Sequence, residues 1–413
     1  MPSRLLIFDD RHDRVYGSQR TLVEHARGLG RDKTLTPVIG SSADGPFLAS
    51  AAAAGLNTLV IPIRSGFLVY GKQLLKGPIR TRLSGVLALA RSSLAFRTSC
   101  KAEGVDIVLA ASIRPLLLAL PARALGNVRL IWYVQNAEYF RFASYLGRLI
   151  ADSIATVSPE SDVAWCGREV SESDRLRCGA RIVPVPRVHA PVEVITRVTD
   201  DDNTRLVVVG ALIHRKGVDR AIVVANTIAA TIDAPVRLVV VGDCPHDAMR
   251  AFEAELHEAA GKGVATIDFV GWQSDVASFI RGAHALLFLS RSDAWGRVVA
   301  EALSLGVPVM GCEDLGAVRA LIRHRTNGWA VPQSDSLEQA SIDVARDLVD
   351  HDRTTMMSDA AMHTLTSETV GTATVDPIAA MAALVADTLR NQTLARSLRI
   401  RMCRFRLVAG HAK

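Results

Sequence analysis

The chain has 413 residues, 49% of them hydrophobic and 22% charged. That balance excludes a disordered, collagenous or coiled-coil protein, and the length predicts two domains. The net charge of +6 implies an anionic partner, while six scattered cysteines with no CxxC argue against a metal cluster or a disulfide framework and fit a reducing compartment.

At the N-terminus the apolar run Leu5–Phe8 stops at Asp9 and Asp10, too short for the core of a signal peptide. The longest uncharged stretch, Gly45–Ile63, contains prolines, glycines and an asparagine, whereas a membrane span needs about 20 mostly apolar residues. The expectation is a soluble cytoplasmic protein. Short apolar runs then alternate with amphipathic stretches, the mark of βαβ units and parallel sheets. Strands are predicted at Leu5–Phe8, Thr36–Ile39, Thr58–Ile61, Ile107–Ala110, Arg129–Tyr133, Ile154–Val157 and Arg181–Val185, with a long helix within Leu74–Lys101. A polar, acidic break at Thr199–Asn203 reads as a linker. The pattern then restarts with strands at Arg205–Gly210, Val236–Asp243, Thr266–Gly271, Ala285–Ser290 and Val307–Gly311, and helices at Val218–Ala230, Pro245–Gly261, Gly296–Leu305 and Leu337–Asp350. The predicted organisation is residues 1–195 as one Rossmann-like domain, 196–203 as linker, 204–385 as a second, and 386–413 as a basic tail. In such sheets ligands bind beyond the carboxyl ends of the strands.

Two basic stretches carry no acidic residue. One holds Arg64, Lys72, Lys76, Arg80, Arg82, Arg91, Arg97 and Lys101 among Leu, Val and Phe; the other holds Arg390, Arg396, Arg399, Arg401, Arg404, Arg406 and Lys413. Each reads as a solvated helix face, as phosphate-binding arginines, or as a patch for an anionic membrane surface, where each basic residue contributes about 1 kcal/mol. No nucleic-acid module accompanies the charge, so nucleic acid is not expected as a partner.

Three turns at strand ends carry chemistry. In Gly210–Gly217, Lys216 stands just before a helix, where an ammonium and free backbone amides can hold a pyrophosphate; the alternative is an exposed loop lysine. In Ser290–Val309, Asp293 lies in a loop and Glu301 in the following helix, so two carboxylates can reach different hydroxyl-bearing parts of one ligand; alone, Glu301 would read as a helix-surface residue. The third turn, Gly311–Val318, can offer amides to an anion or be an ordinary βα loop.

Together these motifs resemble the retaining glycosyltransferases of family 4. The matching elements are Gly210…Lys216-Gly217, Val241-Gly242-Asp243, Phe269-Val-Gly271, Asp293-Ala-Trp295-Gly296…Glu301-Ala302…Gly306-Val-Pro308-Val, and Asn327–Pro332, in order and spacing across residues 205–332. More loosely, Tyr16-Gly17-Ser-Gln-Arg20 resembles the family's glycine loop and Ala155–Ser158 one of its strand ends. The resemblance implies a GT-B fold of two Rossmann-like, doubly wound α/β domains facing across a cleft. It implies transfer of a sugar, of the hexosyltransferase type, from a nucleotide-diphosphate donor to a saccharide or lipid-linked acceptor in polysaccharide or glycoconjugate synthesis. No separate cofactor and no metal are implied. By the same resemblance Lys216 would bind the diphosphate, Asp293 the donor sugar and Glu301 the ribose. Gly296 and Gly316 would touch sugar and phosphate, Gly271 and Trp272 the base, and Gly17 would approach the phosphates from the other domain. The basic Leu74–Lys101 segment suggests a lipid-linked acceptor and peripheral attachment to the inner face of the membrane.

The chain departs from the family pattern at several points. Ala211 stands where an arginine is usual, with Arg215 as the candidate replacement; Asp293 replaces a longer glutamate. The acidic residue usual after the third turn is replaced around Ala317–Arg319. Gln135-Asn136 occupy the neighbourhood of an expected histidine, and Pro186–His189 replaces an N-G-V-D turn. These departures sustain an alternative, an inactive GT-B scaffold of a polysaccharide assembly system. A nucleotide-sugar epimerase is a second rival. A nicotinamide oxidoreductase is disfavoured because no GxGxxG follows a strand.

Overall fold

Continuous β-branched runs such as Val207–Val209 and Val239–Val241 cannot leave a face in water, so they form strands covered on both sides. The computed structural model describes residues 2–63, 79–126, 128–136, 141–185, 203–244, 249–334, 337–365, 376–390 and 394–409. Residues Arg64, Lys72, Lys76, Lys413, the Pro186–His189 turn, most of the predicted linker and the first residues of the helix predicted from Pro245 lie outside them.

The chain divides into two units, Met1–Pro186 with Val375–Lys413, and Arg187–Thr374. The first unit contains β1 (Ser3–Phe8), α1 (Gly17–Leu29), β2 (Leu35–Ser41), α2 (Pro46–Ala53), β3 (Asn57–Val60), α3 (Ile79–Ala102), β4 (Ile107–Ala110), α4 (Ile113–Leu118), α5 (Leu120–Ala124), β5 (Arg129–Val134), α6 (Arg141–Ile150), β6 (Ser153–Thr156), α7 (Asp162–Cys166), α8 (Glu172–Arg177) and β7 (Ala180–Ile182). Its strands pair in the order β3-β2-β1-β4-β5-β6-β7, all parallel. Leu6, Phe8, Val108, Leu130, Trp132 and Trp165 are buried in its core, where Phe8 and Phe96 meet edge to face at 5.0 Å.

The second unit contains β8 (Thr204–Val209), α9 (Val218–Thr231), β9 (Val236–Val241), α10 (Arg250–Ala260), β10 (Thr266–Gly271), α11 (Ala277–Ile280), β11 (Ala285–Phe288), α12 (Arg297–Ser304), β12 (Val309–Cys312), α13 (Gly316–Leu321), β13 (Gly328–Val331), α14 (Glu338–Val349) and α15 (His351–Thr364). Its parallel sheet runs β10-β9-β8-β11-β12-β13. Leu206, Val207, Leu238, Val240, Leu286 and Val309 form its centre; burying each such side chain contributes about 1.5–3 kcal/mol.

In each sheet the order is that of a doubly wound fold, with the winding reversing between β1 and β4 and between β8 and β11. In doubly wound sheets ligands bind at the carboxyl edge beside such a switch point.

The C-terminal segment differs from the sequence expectation, which assigned residues up to 385 to the second domain and left 386–413 as a tail. Helix α16 (Pro377–Arg390) packs on α1 and on β5, β6 and β7, burying Met381, Leu384 and Val385, and Thr388 Oγ1 donates to Ser153 Oγ at 2.8 Å. Helix α17 (Leu394–Ala409) packs on α6, α7 and α8. Arg404 is fully buried rather than solvated: its guanidinium donates to the carbonyls of Cys178 (2.7 Å), Ala151 (2.7 Å), Arg148 (3.1 Å) and Asp152 (3.1 Å). Burial brings its pKa down to about 10. Four carbonyls offset the desolvation of the charge, which is why this arginine leaves the water.

Candidate functional site

The sequence motifs of the second unit gather at the carboxyl edge of its sheet. Lys216 and Arg215 leave β8 in a 3-10 turn, His214–Lys216, that ends at Gly217 and opens α9. Asp293 and Gly296 lie in the loop from β11 to α12, and Gly296 caps that helix. Gly316 begins α13 after β12, and Gly271 ends β10 with Trp272 next in the chain. Glu301 sits in the second turn of α12, where Arg297 Nε approaches its Oε1 at 3.5 Å.

The β8 and β11 loops leave the strands flanking the switch point, and they are bonded to each other. Arg291 N donates to Arg215 O at 2.8 Å, and Arg215 Nη1 donates to Ser292 O at 2.9 Å. Arg291 reaches back with Nη1 to His214 O (2.7 Å) and grips Asp219 in the first turn of α9 through Nη1 and Nη2 (2.9 and 2.6 Å). Gln333 Nε2 holds Arg291 O from the far side at 2.9 Å. Gly217 makes this closeness possible. It has φ +67°, and a Cβ there would stand 2.0 Å from Leu289 O.

Across this junction Lys216 Nζ lies 2.5 Å from Asp293 Oδ2, with the two side chains only 23% and 13% exposed. Burial pushes the Asp293 carboxyl up, but the Lys216 ammonium, the nearby Arg215 and the Trp295 amide outweigh it and hold the carboxyl below its ordinary range. Asp219 is likewise held low against burial by the Arg291 fork. The result is a fixed carboxylate beside an ammonium and a guanidinium, largely buried at the carboxyl edge of the sheet. Such a set can take an anionic group on the cationic side and hydroxyls on the carboxylate side.

Of the residues expected from sequence, the structure brings Lys216, Arg215 and Asp293 together directly, and it puts Gly271, Trp272, Gly296 and Gly316 on the same sheet edge. Gly17 belongs to the first unit, where it opens α1, and the Tyr16 backbone N–H just before it donates to Gln19 Oε1 at 3.0 Å. Sequence reasoning missed Arg291 and Asp219 as the clamp between the two loops. It also missed the switch point of the first sheet. There Asp10 is buried against Arg114 at 2.9 Å, and Asp9 pairs with Arg11 at 3.0 Å. Burial, reinforced by Asp9 and opposed by Arg114, raises the Asp10 pKa. The visible signal was an acidic pair closing the apolar run of β1.

Residues 195–364 match the family model of Glycosyl transferases group 1. The matched segment contains Lys216, Asp293, Glu301 and their neighbours. No curated protein matches the chain. Among solved structures, HepE of Anabaena, crystallised with UDP-glucose, is similar at 17% identity and a TM-score of 0.69, covering 94% of this chain and 99% of that one. A glycosyltransferase of Rickettsia africae is similar at 15% identity and a TM-score of 0.66, covering 94% and 98%. WaaG, a glycosyltransferase involved in lipopolysaccharide biosynthesis, is similar at 16% identity and a TM-score of 0.61, covering 92% and 99%. The fold is GT-B, as the motifs implied.

Proposed function

We propose that this chain is a retaining, family 4 glycosyltransferase that takes a sugar from a nucleotide-diphosphate donor. The observation that carries the reading is the Lys216–Asp293 pair, backed by Arg215, at the β8/β11 switch point inside the matched segment. In this reading the donor diphosphate binds Lys216 and Arg215, Asp293 meets hydroxyls of the donor sugar, and Glu301 holds the ribose. Gly271 and Trp272 border the base, and Gly296 and Gly316 offer backbone to sugar and phosphate.

As the glycosidic bond to phosphate breaks, positive charge grows on the sugar and negative charge on the departing diphosphate. A preorganised ammonium worth little in water is worth far more in a half-buried crevice. Lys216 therefore stabilises the leaving group, and Asp293, ionised throughout the neutral range, stays available to the sugar. The acceptor enters on the face the diphosphate leaves, and a phosphate oxygen takes its proton. A solved relative of similar fold is complexed with UDP-glucose, a donor of the proposed class.

The acceptor is proposed to be a saccharide or lipid-linked saccharide used in polysaccharide or glycoconjugate synthesis. Helix α3 exposes Val86, Leu87 and Leu94 to 59%, 55% and 54% beside Arg80, Arg91 and Lys101, a mixed apolar and basic face suited to an anionic membrane surface. No described helix is long and apolar enough to cross a membrane.

The test is release of nucleoside diphosphate from a panel of nucleotide sugars. Lys216→Ala and Glu301→Ala should each lower turnover by about 10²-fold. Unchanged rates refute the assigned roles. Nucleotide binding without turnover by the unaltered protein instead favours the scaffold reading, which the Ala211 substitution keeps in view.

A further inference from the structure

The first unit is assembled from two chain segments, and its last element, α17, is the end of the second. Two cysteines from different segments meet there. Cys178 follows α8 and is fully buried, whereas Cys403 on α17 is half-buried, and the Cys178 Sγ lies 3.5 Å from the Cys403 Sγ. The approach is held rather than incidental. Arg404, adjacent in sequence to Cys403, donates from Nε to the carbonyl of Cys178 itself at 2.7 Å and anchors its other nitrogens on Arg148, Ala151 and Asp152. Phe405, one residue on, stacks against Tyr145 of α6 at 5.3 Å. A disulfide has an S–S length of about 2.05 Å, so closure asks for a shift of about 1.5 Å, within reach of a side-chain rotation.

We propose that Cys178 and Cys403 form a reversible disulfide that fastens the C-terminal helix to the body of the first unit. The oxidant is a hydroperoxide. Cys403, the more accessible thiol, attacks as thiolate; its sulfur takes one peroxide oxygen, the O–O bond breaks, and hydroxide or alkoxide leaves. The resulting sulfenic acid is then attacked by the sulfur of Cys178. Cys178 gives up its proton, the S–O bond breaks and water departs. In sum, two thiols and one hydrogen peroxide give one disulfide and two waters. Burial pushes the Cys178 thiol up to about 12, so Cys403 and not Cys178 meets the oxidant first, and the 3.5 Å approach is what lets Cys178 resolve the sulfenic acid. The crosslink joins residue 178 to residue 403, so the loop it closes contains the whole second unit, and the helix can no longer leave the first unit while the bond persists.

The experiment uses the full chain, reduced and then treated with hydrogen peroxide, with thiols counted after denaturation. The count should fall from six to four, the intact mass by two hydrogens, and a reducing agent should restore both. Peptide mapping should find Cys178 joined to Cys403, and cleavage within α17 by added protease should fall at least several-fold. Cys403→Ser should keep its remaining thiols under the same treatment. Because Cys178 is in the core and its replacement can unfold the unit, the half-buried Cys403 is the primary variant. In Cys178→Ala, a sulfenic-acid trap should label Cys403. A full thiol count after oxidation, a disulfide between other cysteines, or the same thiol loss in Cys403→Ser overturns the proposal.

Discussion

Gly217 is where the geometry of the candidate site is most exposed to a single methyl group. Both Gly217 and Gly271 hold left-handed backbone, φ +67° and +71°. An alanine in that region costs about 1–2 kcal/mol at either position. The surroundings differ. At Gly271 a Cβ meets nothing within 4 Å, whereas at Gly217 it meets Leu289 O at 2.0 Å and Leu289 C at 2.7 Å. Non-bonded carbon–oxygen contacts begin near about 3.3 Å, so Gly217→Ala must part the β8 and β11 loops by about 1 Å. That displacement also breaks or stretches the Arg291 N to Arg215 O bond, which adds about 1 kcal/mol. Gly217→Ala should therefore cost about 3 kcal/mol and Gly271→Ala about 1–2. For a unit the size of Arg187–Thr374 this corresponds to Tm losses of about 6–12 °C and about 2–8 °C. On the proposed function, a misplacement of this size in the two loops should also lower nucleotide-sugar turnover by about 10²-fold. Thermal unfolding by circular dichroism and a diphosphate-release assay measure both. Equal melting of the two variants, or normal turnover by Gly217→Ala, refutes the close-packed junction.

The Lys216–Asp293 pair has an acid signature. The folded pKa of Asp293 lies below the unfolded value of about 3.9, so its contribution to stability is present above that value and is lost as pH falls through the folded one. The Tm gap between the unaltered protein and Asp293→Asn should be widest near neutrality and shrink below about pH 4; a gap constant from pH 7 to pH 3 contradicts the pairing. On the membrane side, the protein should sediment with anionic vesicles at low salt and be released at high salt, and Leu87→Ser with Leu94→Ser should weaken the association. Equal sedimentation with neutral and anionic vesicles would sink the reading of α3.

Much of the fold was legible because parallel strands buried on both faces leave unbroken apolar runs. The run at Ile107–Ala110 became a strand with those ends, and those at Leu5–Phe8 and Arg205–Gly210 became strands shifted by a residue or two. Strand β13 went unread because Gly328–Val331 is four residues long and lies at the sheet edge; its sequence was noticed only as a motif. Helix α16 was not singled out from the sequence, and nothing local says which sheet covers its Met381 and Leu384. Arg404 was read with a basic tail because its four carbonyl partners come from residues more than 200 positions away. At the candidate site, Lys216 and Asp293 were each identified from their turns, yet their ion pair spans 77 positions and exists only once β8 and β11 lie side by side. Arg291 and Asp219 carried no motif. Their part in joining the loops is a property of the junction alone.

The central claim is that the second unit grips a nucleotide diphosphate through Lys216. Calorimetric titration of UDP, GDP and ADP into the unaltered protein and into Lys216→Ala tests it most directly. The account predicts saturable binding of at least one of them, weakened at least tenfold in the variant, a change of about 1.4 kcal/mol or more. Heats indistinguishable from dilution for all three nucleotides, or equal affinity in the two proteins, would contradict it.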